Sequence, residues 1–230
     1  MYLAPREKAR ELTSDMSSMI ATTASSQTSA LTPAQRAAAP AALVYGAQER
    51  ASSSGIWVGL FAIAMSFAAF TSALFVREGT ADWSHLGLPA VLYFNTSVLL
   101  ASSATLEGAR RALAASPMGN VEGTRKASAW VTITLLLGLA FCVGQFHAWQ
   151  DLRAEGIYLA TNPNSSFFYL LTFLHALHVM VGILVLVYLA ARLWASQTAF
   201  RRSLFDNTAI YWHFMGVLWV YLFLLCRTKL

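Results

Sequence analysis

Charge is scarce in this 230-residue chain: Asp, Glu, Lys and Arg make up 12% of it, about half of the ~25% usual in soluble domains. Too few charged side chains are present to cover a water-facing surface, which excludes an ordinary soluble domain and points to lipid. Cysteine is scarcer still. Cys142 and Cys226 belong to no CxxC or CxxH spacing, so the usual zinc and haem-attachment signatures are excluded. No nucleic-acid module is visible, and the net charge of +5 comes from Lys and Arg placed between apolar runs, where they report topology. An internal repeat is also lacking, which argues against an inverted-repeat transporter.

What is present is apolar: 57% of the residues are hydrophobic. A transmembrane helix needs about 20 predominantly apolar residues. Five runs meet this, at 55–76, 88–106, 129–149, 167–193 and 208–226. Residues 1–54 differ in kind, being rich in Ala, Ser and Thr without a continuous apolar core, and are expected to form a mobile or peripheral tail before a domain at 55–230. They lack the basic start, apolar centre and cleavage site of a secretory signal, so the first span is expected to be retained. Twelve of the sixteen Lys and Arg fall in the tail and in the loops after the second and fourth spans; Arg77, Arg153, Arg227 and Lys229 lie on the other side. The positive-inside rule then predicts an all-α polytopic membrane protein of five transmembrane helices, N-terminus in the cytoplasm and C-terminus outside.

Polar side chains inside the spans each require a partner. The second run carries Asn95, Ser102 and Thr105 on one stripe and Thr96, Ser103 and Glu107 on the next. Small and hydroxylated residues at this spacing favour close helix packing over a solute path. Glu107, near the cytoplasmic end, can be solvated or pair with Arg110 or Arg111. Gln145 and His147 lie near the outer end of the third span, where hydrogen bonding to a neighbouring helix or a headgroup is expected. In "FLHALHVMVG", His175 and His178 lie about 60° apart around a helix axis. His213 in the fifth span sits at a different depth, offset by ~10 Å or more along the axis, too far for one coordination sphere. Two histidines with no carboxylate or thiolate at their depth make a poor metal site. Hydrogen bonding between helices or to lipid is therefore favoured over metal or haem ligation.

The segments "SSFFYLLTFLHALHVMVG" and "YWHFMGVLWVYLFLL" resemble subunit III of the haem–copper cytochrome c and quinol oxidases. Thr172, His175, His178, Val179 and Gly182 match the family's helix motif, and Tyr211, Trp212, His213, Phe214 and Trp219 its last helix. "LPAVLYFNTSVLLASSATLEGA" and "GQFHAWQDLRAEG" match two further helices in order, so the resemblance covers about 55–225. There are departures. Phe173 and Ala176 replace glycines, Gly216 stands where many members carry Asp, and Ala62-Ile63 occupies the place of a Ser-Glu pair. No role of that carboxylate transfers. The common seven-helix form has two further N-terminal helices, so by resemblance this is expected to be the short five-helix type.

The resemblance implies a non-catalytic accessory subunit of a terminal oxidase in a bacterial inner membrane, serving aerobic respiration and proton translocation. It would carry no cofactor itself, with haem and copper held by the catalytic subunit I and the copper-bearing subunit II. Phospholipid and a larger respiratory supercomplex are further implied partners. On this reading His175, His178, Tyr211, Trp212, His213, Asn95, Ser102, Ser103 and Gln145 join packed helices or brace a lipid cleft. Arg201 and Arg202 either meet anionic headgroups or only set orientation. The alternatives are an accessory protein of a nitric oxide reductase and an independent membrane cytochrome using His147, His175, His178 and His213.

Overall fold

The computed structural model describes residues 54–79, 87, 89–115, 121–159, 162–195 and 203–229 in full, residues 33–53 and 202 as helical backbone, and Asp15 and Met16. Among the described residues the long elements are all helices: α1 Pro33–Glu78, α2 Val91–Ala114, α3 Val121–Ala154, α4 Pro163–Trp194 and α5 Arg202–Lys229. The chain divides into a unit of residues 1–52 and a unit of residues 53–230. The second unit holds the bundle.

Local chemistry sets the helix ends. The Pro89 carbonyl accepts the Leu92 N–H at 3.1 Å, so the proline opens α2 without needing a donor of its own. Pro163 occupies the first turn of α4 behind an extended Asn162, whose N–H is accepted by Ser165 Oγ at 3.2 Å. Gly156 adopts φ +79° after α3, and the Ile157 N–H returns to the Leu152 carbonyl at 2.9 Å. Only a residue free of Cβ strain makes this left-handed stop easily. Every helix runs past its expected span at one end or both: α1 begins already at Pro33 instead of 55, α3 at Val121 instead of 129, and α2 ends at Ala114 instead of 106. Alanine-rich and charged turns keep high helix propensity outside lipid, so apolarity ends before the helix does.

Packing joins α2 to α3, α3 to α4, α4 to α5, and α5 back to α2, a closed ring of four. The backbone of α1 stays further away. It buries one stripe, Leu60, Phe67, Thr71 and Leu74, and exposes Trp57, Phe61, Met65 and Val76. Large apolar side chains are exposed along the other helices too, including Phe94, Leu136, Leu184 and Val217, while Asn95, Ser102, Thr134 and His175 are fully buried. A surface apolar outside and polar inside suits lipid as solvent. Four helical stretches, Ser54–Glu78, Val121–Ala154, Pro163–Trp194 and Ser203–Lys229, are long and apolar enough to cross a membrane. The 24-residue α2 is long enough but too polar in composition, carrying Asn95, several Ser and Thr, and Glu107; its Asn95 and Ser102 are buried. The fold is that of a polytopic membrane protein.

Candidate functional site

Trp212 on α5 is the central peg of the ring. Its indole N–H donates to Ser102 Oγ on α2 at 3.0 Å, while that hydroxyl donates to the Leu99 carbonyl of its own helix at 2.7 Å. Glycines make room for the ring. A Cβ at Gly138 of α3 would stand 2.8 Å from Trp212 Cη2, and one at Gly182 of α4 would meet both Trp212 and Tyr211 at 3.1 Å. One side chain thereby touches all four ring helices.

Two further indoles follow the same rule. Trp219 donates to Thr96 Oγ1 and Trp149 to Thr172 Oγ1, each at 3.1 Å, and each threonine back-bonds to a carbonyl of its own helix. An indole N–H in lipid needs an acceptor, and a hydroxyl already donating locally still has lone pairs to offer. The Tyr211 hydroxyl donates to the His178 carbonyl at 2.8 Å, and Thr105 and Thr134 join α2 to α3 at 2.8 Å. Ser103 lies against Gly216, where an added Cβ would be 3.1 Å from its Oγ. Gly216, a departure from the family pattern, is thus a contact point.

The histidines do not converge. His175 is fully buried, 5.1 Å from the Trp219 ring and edge-on to Phe141 at 5.9 Å, and neither ring nitrogen has a hydrogen-bond partner among the described residues. His178 Nδ1 lies 2.7 Å from the Leu174 carbonyl of its own helix, and Phe67 of α1 meets its ring edge-on at 5.9 Å. Among the described residues His175 meets its neighbours through ring packing, and His178 through ring packing and its backbone carbonyl. His213 is half-buried near Glu107 and Arg110, at another level. Gln145 is 1% exposed, and neither amide atom has a partner among the described residues. Helix α3 continues to Ala154, which places Gln145 more than two turns inside its end. Asn95 is equally buried and unpartnered. Among the described residues no three His, Cys, Asp or Glu side chains come together as metal ligands.

Charge collects at the ends. Glu107 accepts from Arg110 at 2.8 Å and Arg111 at 3.1 Å; the Arg110 bond first, then that of Arg111, holds this carboxyl below its ordinary value. Glu78 pairs with Lys229 at 3.1 Å, and Tyr221 donates to Thr71 at 3.0 Å, so α1 is clasped to α5. Two open grooves flank this helix. One of about 860 Å³ runs between Ala69, Ala73 and Val76 and the Pro163–Phe167 turn; the other, about 490 Å³, lies beside Phe75 and Tyr221. A third groove of about 630 Å³ is walled by Trp149, Tyr158, Tyr169 and Phe173 with Arg153 at its edge. Arg201 and the side chain of Arg202 lie outside the described residues.

Sequence reasoning missed Trp149 and Gly138 as contact residues, and marked Thr96 for packing without its indole partner. The signal was present, since every tryptophan in a span needs an acceptor and each adjacent helix offers hydroxyls. Which indole meets which hydroxyl depends on rotation of the helices about their axes. That is a property of the packed bundle.

Residues 51–227 match the family described as cytochrome c oxidase subunit III. The chain is 33% identical over 129 residues to a probable cytochrome c oxidase subunit 3 of Mycobacterium tuberculosis, covering 56% of this chain and 61% of that one. The match therefore spans about three fifths of that relative's length. Over 177 residues it is 32% identical to a probable cytochrome c oxidase subunit 3 of Nocardia farcinica, covering 74% and 84% of the two chains. Over 175 residues it is 30% identical to the cytochrome bo(3) ubiquinol oxidase subunit 3 of Pseudomonas aeruginosa, covering 74% and 80%. With a family match across all five helices of a lipid-suited bundle, the chain belongs to the cytochrome c oxidase subunit III family.

Proposed function

We propose that this chain is a non-catalytic accessory subunit of a haem–copper terminal oxidase, packed in a bacterial inner membrane against catalytic subunit I and copper-bearing subunit II. It crosses the membrane five times with its N-terminal tail, residues 1–54, in the cytoplasm. The observation that carries the reading is the family match over residues 51–227. The Trp212 peg adds support, because the polar groups around it are used to join helices. His175, His178, Tyr211, Trp212, His213, Asn95, Ser102, Ser103 and Gln145 act in packing, and the grooves beside α1 take phospholipid acyl chains. Anionic headgroups are the partners proposed for Arg201 and Arg202, with topology alone as their other reading. The subunit supports oxygen reduction and proton pumping by stabilising its partner, with haem and copper residing there.

Relatives named as cytochrome c oxidase and as ubiquinol oxidase subunits both match, and the proposed reading holds for either electron donor. Purification through a tag on this chain in mild detergent, with mass spectrometry and a reduced-minus-oxidised spectrum, tests the reading. A haem–copper oxidase in the eluate and a colourless chain after stripping support it. Co-elution with a nitric oxide reductase, or haem kept by the stripped chain, overturns it.

A further inference from the structure

Asn95 on α2, Gln145 on α3 and His175 on α4 are each at most 1% exposed, and none of their six side-chain polar atoms has a hydrogen-bond partner among the described residues. Contacts place them at one level of the ring. A Cβ at Gly144 would fall inside the van der Waals envelope of Asn95 Oδ1, so the Asn95 amide lies on the α3 backbone beside Gln145. Phe141, one turn earlier on α3, meets both His175 and Trp219 edge-on, at 5.9 Å and 4.8 Å. Trp219 is in turn bonded to Thr96, the neighbour of Asn95. One turn beyond Gln145, Trp149 reaches Thr172, one turn before His175. Three consecutive helices thus each bury one unpaired polar side chain at a common level of the ring.

In lipid such groups cannot borrow hydrogen bonds from bulk solvent, so they need an internal partner. Its chemistry is constrained. The two amides and a neutral imidazole supply both donors and acceptors and no net charge. A hard cation would want carboxylate oxygens, and the layer has none. An anion would want Lys or Arg, and these sit at the helix ends. An apolar guest would leave all six atoms unpaired. A small neutral molecule that both donates and accepts is required. We propose that Asn95, Gln145 and His175 form a buried site for ordered water, one or two molecules bridging α2, α3 and α4. A buried water typically makes about three hydrogen bonds to otherwise unpaired groups, and three such side chains are buried at this level. The site fixes helix rotation and holds a polar centre within an apolar bundle, and it does not depend on which enzyme the subunit joins.

The test is a cryo-EM map of the full chain, in the complex with which it purifies, at a resolution that shows water. The expected result is a density peak within hydrogen-bond distance of at least two of the three side chains, absent in Gln145→Leu. Side chains bonded directly to one another with no peak between them overturn the proposal. Where a variant does not assemble, the wild-type map alone decides. A second measurement uses thermal dissociation of Asn95→Leu, His175→Phe and the double variant: bridging through shared water predicts strongly non-additive midpoints, and additive midpoints count against it.

Discussion

Trp212 and Ser102 stand 110 residues apart in sequence and meet at 3.0 Å, the indole of α5 donating to a hydroxyl of α2 in the centre of the ring. The two ends of this bond are not equivalent. Ser102→Ala leaves a fully buried indole N–H without an acceptor, a loss of ~1–3 kcal/mol. Trp212→Phe removes the donor while Ser102 keeps its bond to the Leu99 carbonyl, so its cost comes from lost packing against Gly138 and Gly182. Thermal dissociation of the purified complex should show Ser102→Ala clearly destabilised and Ser102→Thr largely restored. Equal stability of wild type and Ser102→Ala would remove the bond from the account.

Close approach at glycines gives a second expectation. Gly138→Ala drives a methyl against the Trp212 ring, and Gly144→Ala drives one into Asn95. Overpacking of this kind costs ~1–3 kcal/mol. Gly55→Ala and Gly59→Ala meet nothing within 4 Å and should be neutral or slightly stabilising through helix propensity. Expression level and melting temperature of the four variants separate the pairs. A uniform response across all four would contradict the assigned packing.

Five helices were legible in the sequence as apolar runs of about 20 residues, four of them in helices apolar enough to cross a membrane. Their ends were less legible: "VEGTRKAS" at the start of α3 is charged and helical at once, and hydropathy registers only the charge. In α2 the opposite holds, since Asn95 and Ser102 lower its apolarity while facing inward. The candidate residues were found by the cost of polarity in lipid, which marks a residue as needing a partner. It does not name the partner. Ser102 and Trp212 were both expected to serve packing, yet their pairing depends on the rotation of two helices, and Gln145 was placed at the interface because α3 runs further than its apolar stretch.

The clasp on α1 predicts local behaviour. Since this helix keeps its backbone apart from the ring, Tyr221–Thr71 and Lys229–Glu78 contribute much of its directional contact. Tyr221→Phe removes one hydrogen bond, ~1 kcal/mol, and leaves Thr71 donating to the Phe67 carbonyl at 2.9 Å. Lys229→Met removes a partly exposed ion pair of ~0–1 kcal/mol. Hydrogen exchange over residues 65–78 should accelerate several-fold in the double variant, with α2 to α5 unchanged. Unchanged exchange in α1 would mean that apolar contacts such as Phe67 with His178 hold it without the clasp.

Histidine substitution separates packing from ligation. His178 is bonded to its own helix through Nδ1, His213 is near Glu107 and Arg110, and His147 is exposed. If these side chains serve the bundle, His147→Leu, His178→Leu and His213→Gln leave the ratio of haem to total protein in the purified complex unchanged. Stability should fall most for His178→Leu, because Phe67 of α1 packs against that ring. Ligation predicts the reverse order, with spectra changing before stability and with haem lost in proportion to the variant chain. Pyridine haemochrome assay on the complex and on the stripped chain distinguishes the two, since a ligand histidine acts on the spectrum of the single chain and a packing histidine acts only on how long the complex survives.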